Sequence, residues 1–312
     1  MKNILVVGGA GYIGGALTDR LMDYNLRVYD NLLYDNIYRK PVDFVFGDIR
    51  DTSKLKKQLE WADAVIWLSA IVGDPACNLN QELTLDINER SVKWLCDNYD
   101  GRIIFISTCS VYGFNDKLLD EESKLNPLSL YAWTKLNSEK YLEEKNTIIF
   151  RLGTVYGLGD IYSRLRMDLV VNILTAHAQK LNKITVYGGE QHRPLIHVKD
   201  IALAIEKVVD SDLTGIFNLH SLNTTVINIA DTVKIHFPKL IIETTGVKFQ
   251  DNRSYRVSSE KAHKQFNFKP IYTLDDGISE IKKLLESGRI KDVFGSNYSN
   301  VEHLKSFGDK LC

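Results

Sequence analysis

The 312-residue sequence is short of the features that would set it apart from an ordinary soluble enzyme-sized chain. It has no run of roughly 18 apolar residues, so no membrane-spanning helix is expected. Its four cysteines, Cys77, Cys96, Cys109 and Cys312, show neither CxxC pairing nor metal-ligand spacing. No metal is expected, and reduced thiols point to the cytoplasm. Positive charge is not in excess: 39 Lys and Arg stand against 40 Asp and Glu, a formal charge of -1. That excludes the basic stripe of a nucleic-acid binder, and any phosphate must be held locally. Proline-rich linkers, internal repeats and low-complexity tracts are missing as well. The N-terminal "MKNILVVGGAGYIGGAL" is apolar, but its glycines and its strand-turn-helix pattern make it a poor signal peptide.

What is present is a rhythm. Strands are expected at 3–8, 26–30, 43–48, 63–69, 102–108 and 147–152, with amphipathic segments between most of them. In "LTLDINERSVKWLCDNY", for example, Leu83, Ile87, Val92 and Leu95 approximate one apolar face. Such alternation predicts an α/β fold whose parallel sheet is covered on both faces. After Gly157 the pattern changes: a loop-like "GLGDIYSRLR", a helix near 167–178 and a strand ending at Gly188. "RPLIHVKDIALAIEKVVD" and "GIFNLH" then read as a helix and strand returning to the first sheet, and 224–288 as a smaller lobe. The expected division is 1–165 plus about 195–223 in one domain and about 166–194 plus 224–290 in the other, with 291–312 unassigned.

The turn after the first strand, "VVGGAGYIGGAL", meets GxGxxG through Gly9, Gly11 and Gly14 and GxxGxxG through Gly8, Gly11 and Gly14. Glycines there allow close backbone approach to a pyrophosphate, and the helix starting at Tyr12 and Ile13 presents free N–H donors. Asp30, followed by Asn31, ends the second strand where a carboxylate can bond the adenosine ribose hydroxyls. It would repel a 2'-phosphate, which favours NAD over NADP. Asp48 and Ile49 after the third strand, and Leu68, Ser69, Ala70 and Ile71 after the fourth, fall at the same carboxyl edge. Asp48 reads equally well as the start of a helix.

The fifth strand ends in Ser107, Thr108, Cys109 and Ser110, and the next helix carries Tyr131 and Lys135 four residues apart on one face. At this point "GGAGYIG", Asp30, "GDIRD", "STCSVYG", "YAWTK", "RLGTVYG" and "RPLIHVKDIA" together resemble the extended short-chain dehydrogenase/reductases, in particular the NAD-dependent nucleotide-sugar epimerase/dehydratase group, over about residues 3–290. The resemblance implies a Rossmann-type doubly wound parallel sheet with a smaller C-terminal lobe that binds a nucleotide-diphosphate sugar, and a homodimer built from the helices carrying 84–99 and 127–145. It implies a Thr108, Tyr131, Lys135 triad in which Lys135 bonds the nicotinamide ribose. A free tyrosine titrates near ~10, and Lys135 with the positive nicotinamide is expected to favour its phenolate. Asn88 matches a position that helps seat the cofactor. Arg193 and Arg253 match arginines that clamp the diphosphate, Asn172 a phosphate contact, and Thr154 stands where many 4-epimerases have Asn.

The same resemblance narrows the reaction. Its 4,6-dehydratases carry acidic residues directly after the triad hydroxyl, where this chain has Cys109 and Ser110, so dehydration is disfavoured. Its 3,5-epimerases of the GDP-fucose-synthase type place a Cys two residues before the motif Tyr with a His farther on; here Cys109 stands three before Tyr112 and that His is missing. Cys109 reads as a structural thiol. Oxidation at C4 remains, ending in epimerisation or, as the alternative, in a 4-dehydrogenase or 4-reductase acting for example on a nucleotide-heptose. "AIVGDPAC", "MDLVVN" and "DNRSYRVS" resemble a branch acting in surface-polysaccharide synthesis. A non-catalytic NAD sensor or scaffold would be expected to have lost the triad.

Overall fold

The computed structural model describes residues 1–34, 37–160, 162, 164–245 and 253–308. Seven parallel strands form one sheet: β1 (Asn3–Val7), β2 (Asn25–Asp30), β3 (Asp43–Phe46), β4 (Ala64–Trp67), β5 (Arg102–Thr108), β6 (Thr147–Leu152) and β7 (Gly215–Leu219). Their spatial order is β3-β2-β1-β4-β5-β6-β7, so the chain reverses direction across the sheet between β1 and β4. Loops diverge at that switch point and leave a crevice at the carboxyl edge. The expected strand cores are all present, and the expected β7 joins the sheet. Alternation explains the two cores: Ile4 and Val6 enter the cluster on one face, Leu5 and Val7 the cluster on the other. All seven residues of β5 are buried, as suits a strand with helices on both sides.

Gln81–Asn98 is one helical run containing a π turn at Asp86–Arg90. The extra residue in that turn accounts for the five-residue step from Ile87 to Val92, both buried in the same cluster with Leu83 and Leu95. The helix Leu130–Leu142 starts on Ser129, whose Oγ accepts from the Ala132 N–H at 3.3 Å. It is fixed to β6 by a buried ion pair, Glu139 to Arg151 at 2.6 Å, and Ser107 of β5 donates to the same carboxylate.

Among the described residues three small sheets lie outside the large one. His192–His197 pairs with Thr154–Tyr156 and Leu222–Thr225, Lys183–Tyr187 pairs with Ile241–Thr245, and Phe114–Leu119 pairs with Ser254–Val257. The helix expected near 167–178 runs from Val170 to Leu181. It shares a separate apolar core with Ile184, Val186, Leu195, Ile229 and Ile278. The unassigned tail contains a helix, Asn300–Ser306, whose Leu304 is buried in the cluster of Leu5 and Val7. Among the described residues no helix is long and apolar enough to cross a membrane.

Candidate active site

A cleft of about 790 Å³ runs from the glycine turn along the carboxyl edge of the sheet to Arg193 and Arg253. The turn is built for close approach. Gly8 has φ +85°, and a Cβ there would sit 2.5 Å from the backbone nitrogen of Ser69; a Cβ at Gly14 would collide with the carbonyl of Gly9. A Cβ at Gly11 would meet only the Gly8 carbonyl, at 3.3 Å, so that side opens to the cleft. The helix Tyr12–Arg20 begins on Gly11 without a side-chain cap, which leaves its first-turn N–H groups, beginning with Tyr12 and Ile13, for a ligand. The Tyr12 hydroxyl donates to the Gly157 carbonyl at 2.5 Å.

Asp30 does more than the sequence indicates. Its carboxylate accepts from the N–H of Ala10 at 3.0 Å and of Leu32 at 2.7 Å, so it braces the glycine turn while lining the cleft. Burial raises its pKa, and the backbone donors oppose that rise. Asn31 donates to Asp48 at 3.0 Å, and Asp48 also accepts from the N–H of Arg50 at 2.8 Å. Burial pushes the Asp48 pKa up, but Arg50 and Asn31 outweigh it and hold the carboxyl below its usual range. Asp48 does not start the next helix, which is capped by Asp51. Ile49, Leu68, Ser69 and Ala70 all line the cleft.

Thr108, Tyr131 and Lys135 all line it. Thr108 Oγ1 accepts from the Ser110 N–H and donates to Ser110 Oγ, both at 3.1 Å. Lys135 Nζ donates to the Ile106 carbonyl at 2.8 Å and lies 4.7 Å from the centroid of the Phe105 ring. Burial pulls its pKa down to about 8. Burial, with Cys77 and Asp74 adding to it, raises the Tyr131 phenol well above its ordinary value, against the counteracting pull of Arg166 and Arg253. The bond to Ile106 takes one of the three ammonium N–H groups of Lys135.

Two expected site amides are bonded to backbone. Asn88 lies in the π turn, buried, and holds the backbone N–H and carbonyl of Ile71 at 2.8 and 2.9 Å; it positions the loop after β4 instead of facing the cleft. Asn172 is also buried and away from the cleft lining. Its amide joins the Gly157 N–H at 3.0 Å to the Arg166 carbonyl at 2.7 Å. Both are satisfied by backbone, as buried amides must be.

Thr154, Arg193 and Arg253 do line the cleft. Arg253 lies 3.2 Å from Ser110 Oγ and 3.2 Å from Asp74. Arg193 donates to the carbonyls of His192 and Arg253. Cys109 is fully buried, with its thiol on the Arg151 carbonyl at 3.2 Å, and burial raises its pKa. Cys312 lies outside the described residues.

Sequence reasoning passed over Arg164 and Arg166, which enter the cleft from the loop read only as "GLGDIYSRLR", the latter held on Asp168 by two contacts of 2.9 Å. It also missed Asp74, Tyr255 and the tail, whose Ser299, Asn300 and Val301 line the cleft. Asn300 Nδ2 donates to the Val72 carbonyl at 2.8 Å, the Asn300 N–H to Asp168 at 2.8 Å, and His303 Nε2 to the Leu33 carbonyl at 2.8 Å. Nothing local marks these residues; chain folding brings them in.

Residues 4–219 match the NAD dependent epimerase/dehydratase family. A putative UDP-glucose 4-epimerase of Methanocaldococcus jannaschii is 28% identical over 89% of this chain and 96% of its own length. The UDP-glucose 4-epimerase of Lactobacillus helveticus is 29% identical over 69% of this chain and 76% of its own. Among solved structures, the UDP-glucose 4-epimerase of Thermotoga maritima with UDP-glucose superposes with a TM-score of 0.81 at 22% identity, covering 91% of this chain and 99% of that one. The NDP-hexosamine 5,6-dehydratase TunA superposes nearly as well, with a TM-score of 0.80 at 23% identity over 94% and 100% of the chains, so the fold alone does not choose the reaction. The chain belongs to the NAD dependent epimerase/dehydratase family, with NAD as its cofactor.

Proposed function

We propose that the protein is an NAD-dependent nucleotide-sugar 4-epimerase that oxidises its substrate at C4 to a 4-keto sugar and reduces it again with inversion, in the synthesis of a surface polysaccharide. The observation that carries this reading is the composition of the cleft beside the glycine turn: Thr108, Tyr131 and Lys135 converge there, and the positions after Thr108 hold the buried thiol of Cys109 and the hydroxyl of Ser110 in place of a dehydratase's acids. NAD, when bound, supplies the hydride acceptor and a positive charge beside the phenol. Thr108 orients the sugar hydroxyl, Tyr131 accepts its proton, and Lys135 holds the ribose and aids ionisation of Tyr131. For the return step Tyr131 gives the proton back. The nucleotide end falls to the lobe of about 166–194 plus 224–290, the cofactor to 1–165 plus about 195–223.

An epimerase must retain NAD through the cycle, and the tail laid across the cleft from Leu33 to Val72 supports retention. The second reading, a C4 dehydrogenase or reductase, is favoured by one feature, Thr154 in the position that is Asn in many 4-epimerases. Excess NAD with a panel of nucleotide-sugars separates them. Inverted sugar without net NADH is expected, and stoichiometric NADH with a 4-keto product would overturn epimerisation. The pair of helices expected at a dimer interface leaves Trp133 and Tyr141 exposed on Leu130–Leu142, which supports a homodimer in solution.

A further inference from the structure

A carboxylate does reach the catalytic end of the cleft, from a different element than a dehydratase would use. The loop after β4 reads "AIVGDPAC" and is tightly set. Gly73 has φ +103°, the Cys77 thiol donates to the Ile71 carbonyl at 3.3 Å, and Thr84 Oγ1 donates to the Cys77 carbonyl at 2.9 Å. These contacts fix the short helical turn Asp74–Cys77, which packs on the helix that carries Tyr131. Asp74 lines the cleft there. One of its oxygens, Oδ2, lies 3.2 Å from Arg253, whose guanidinium is 3.2 Å from Ser110 Oγ; Ser110 in turn contacts Thr108 at 3.1 Å and the Tyr255 hydroxyl at 3.4 Å. The other oxygen, Oδ1, is buried and has no hydrogen-bond donor among the described residues. An orphan acceptor in a buried site is unfavourable until a donor arrives. A hydroxyl or ammonium group of a bound sugar can supply that donor.

Resting on the nucleotide-sugar reading above, we propose that Asp74 is a specificity residue whose Oδ1 accepts a hydrogen bond from a hydroxyl or ammonium group of the sugar. It thereby selects neutral or amino sugars and rejects uronates. A sugar carboxylate placed there brings an acceptor and a second negative charge to a group that needs a donor. A site built around a hydrogen bond discriminates strongly against an analogue that cannot make it.

The test is equilibrium binding to NAD-loaded protein in the Tyr131→Phe background, so that turnover does not obscure affinity. Glucose diphosphates of uridine, thymidine, guanosine and cytidine identify the accepted base, and the matching uronate is then compared with the hexose. The hexose is expected to bind at least roughly tenfold more tightly than the uronate. Asp74→Asn keeps the volume and one acceptor but adds an amide donor and removes the charge; it is expected to narrow that ratio roughly tenfold, with Asp74→Ala weakening the hexose. A melting curve for each variant verifies folding. Equal affinity of the parent for hexose and uronate, or a ratio unmoved in folded Asp74→Asn, would overturn the role of Asp74. Failure of every nucleotide-hexose to bind while NAD still binds would overturn the nucleotide-sugar reading and this inference with it.

Discussion

Lys135 combines a buried charge with a single backbone acceptor, and its neighbour Tyr131 is in a place that opposes ionisation. The sign of the resulting pH effect follows from the depressed pKa of about 8 against an ordinary 10.5. Between those values the unfolded chain holds the proton and the folded chain has lost it, so folding stability contributed by this group rises as pH rises through that window. At neutral pH the ammonium is a cost. Lys135→Met is therefore expected to abolish turnover yet stabilise the fold by about 1–3 kcal/mol near pH 7, the gain shrinking toward pH 10. Chemical denaturation at a series of pH values measures it, and a pH-independent difference would refute the buried-charge account. Asp30→Ala is expected to weaken NAD more than tenfold without a matching gain for NADP, because it also frees the Ala10 and Leu32 N–H groups that shape the turn; titration of both nucleotides decides. Thr108, Tyr131, Lys135 and Asp30 are legible from sequence because local spacing and strand ends place them. Asp74 is not, because its significance comes from Arg253, far along the chain. Asn88 and Asn172 are identifiable as polar residues on helices, but which way a buried amide spends its donors depends on loops from other elements.

The helix carrying Tyr131 owes its position to Glu139 as much as to its own cap. Arg151 of β6 and Ser107 of β5 both converge on that carboxylate beneath the triad, so removing its charge leaves a buried guanidinium uncompensated. Glu139→Gln is expected to cost about 3–5 kcal/mol and to lower kcat through displacement of Tyr131, read by thermal melting beside steady-state kinetics. The π turn at Asp86–Arg90 shows how an irregular element leaves a trace: the spacing of buried residues lengthens from four to five at Ile87 to Val92. The tail leaves almost none. Its polar composition conceals one short apolar edge, Val301 and Leu304, and it is placed by hydrogen bonds to Val72, Leu33 and Asp168. Deleting residues from Ser296 onward is expected to leave the sheet folded and raise the dissociation constant for NAD at least roughly tenfold, since three cleft-lining residues go with it. Unchanged NAD affinity would mean that the tail only packs.

The sheet order, with its reversal between β1 and β4, opens the crevice into which the glycine turn, Asp30, Asp48 and the triad all face. That architecture was readable because buried parallel strands are near-continuous apolar runs and because the glycine motif names the first of them. The small sheets were not, since pairs such as Phe114–Leu119 with Ser254–Val257 join segments that no local pattern connects. The end of the cleft at Arg193 and Arg253 is built from just those long-range pieces, which is why its chemistry is least visible from sequence. Across the whole molecule the account rests on hydride leaving C4 of the sugar and returning to the same carbon on the opposite face while NAD stays bound. A nucleotide-sugar carrying deuterium at C4 tests this directly, incubated with catalytic NAD and analysed for both stereochemistry and label. The expected product is the C4 epimer with deuterium retained at C4. Deuterium delivered to free reduced cofactor with a 4-keto product, or recovery of only the uninverted sugar, would contradict it.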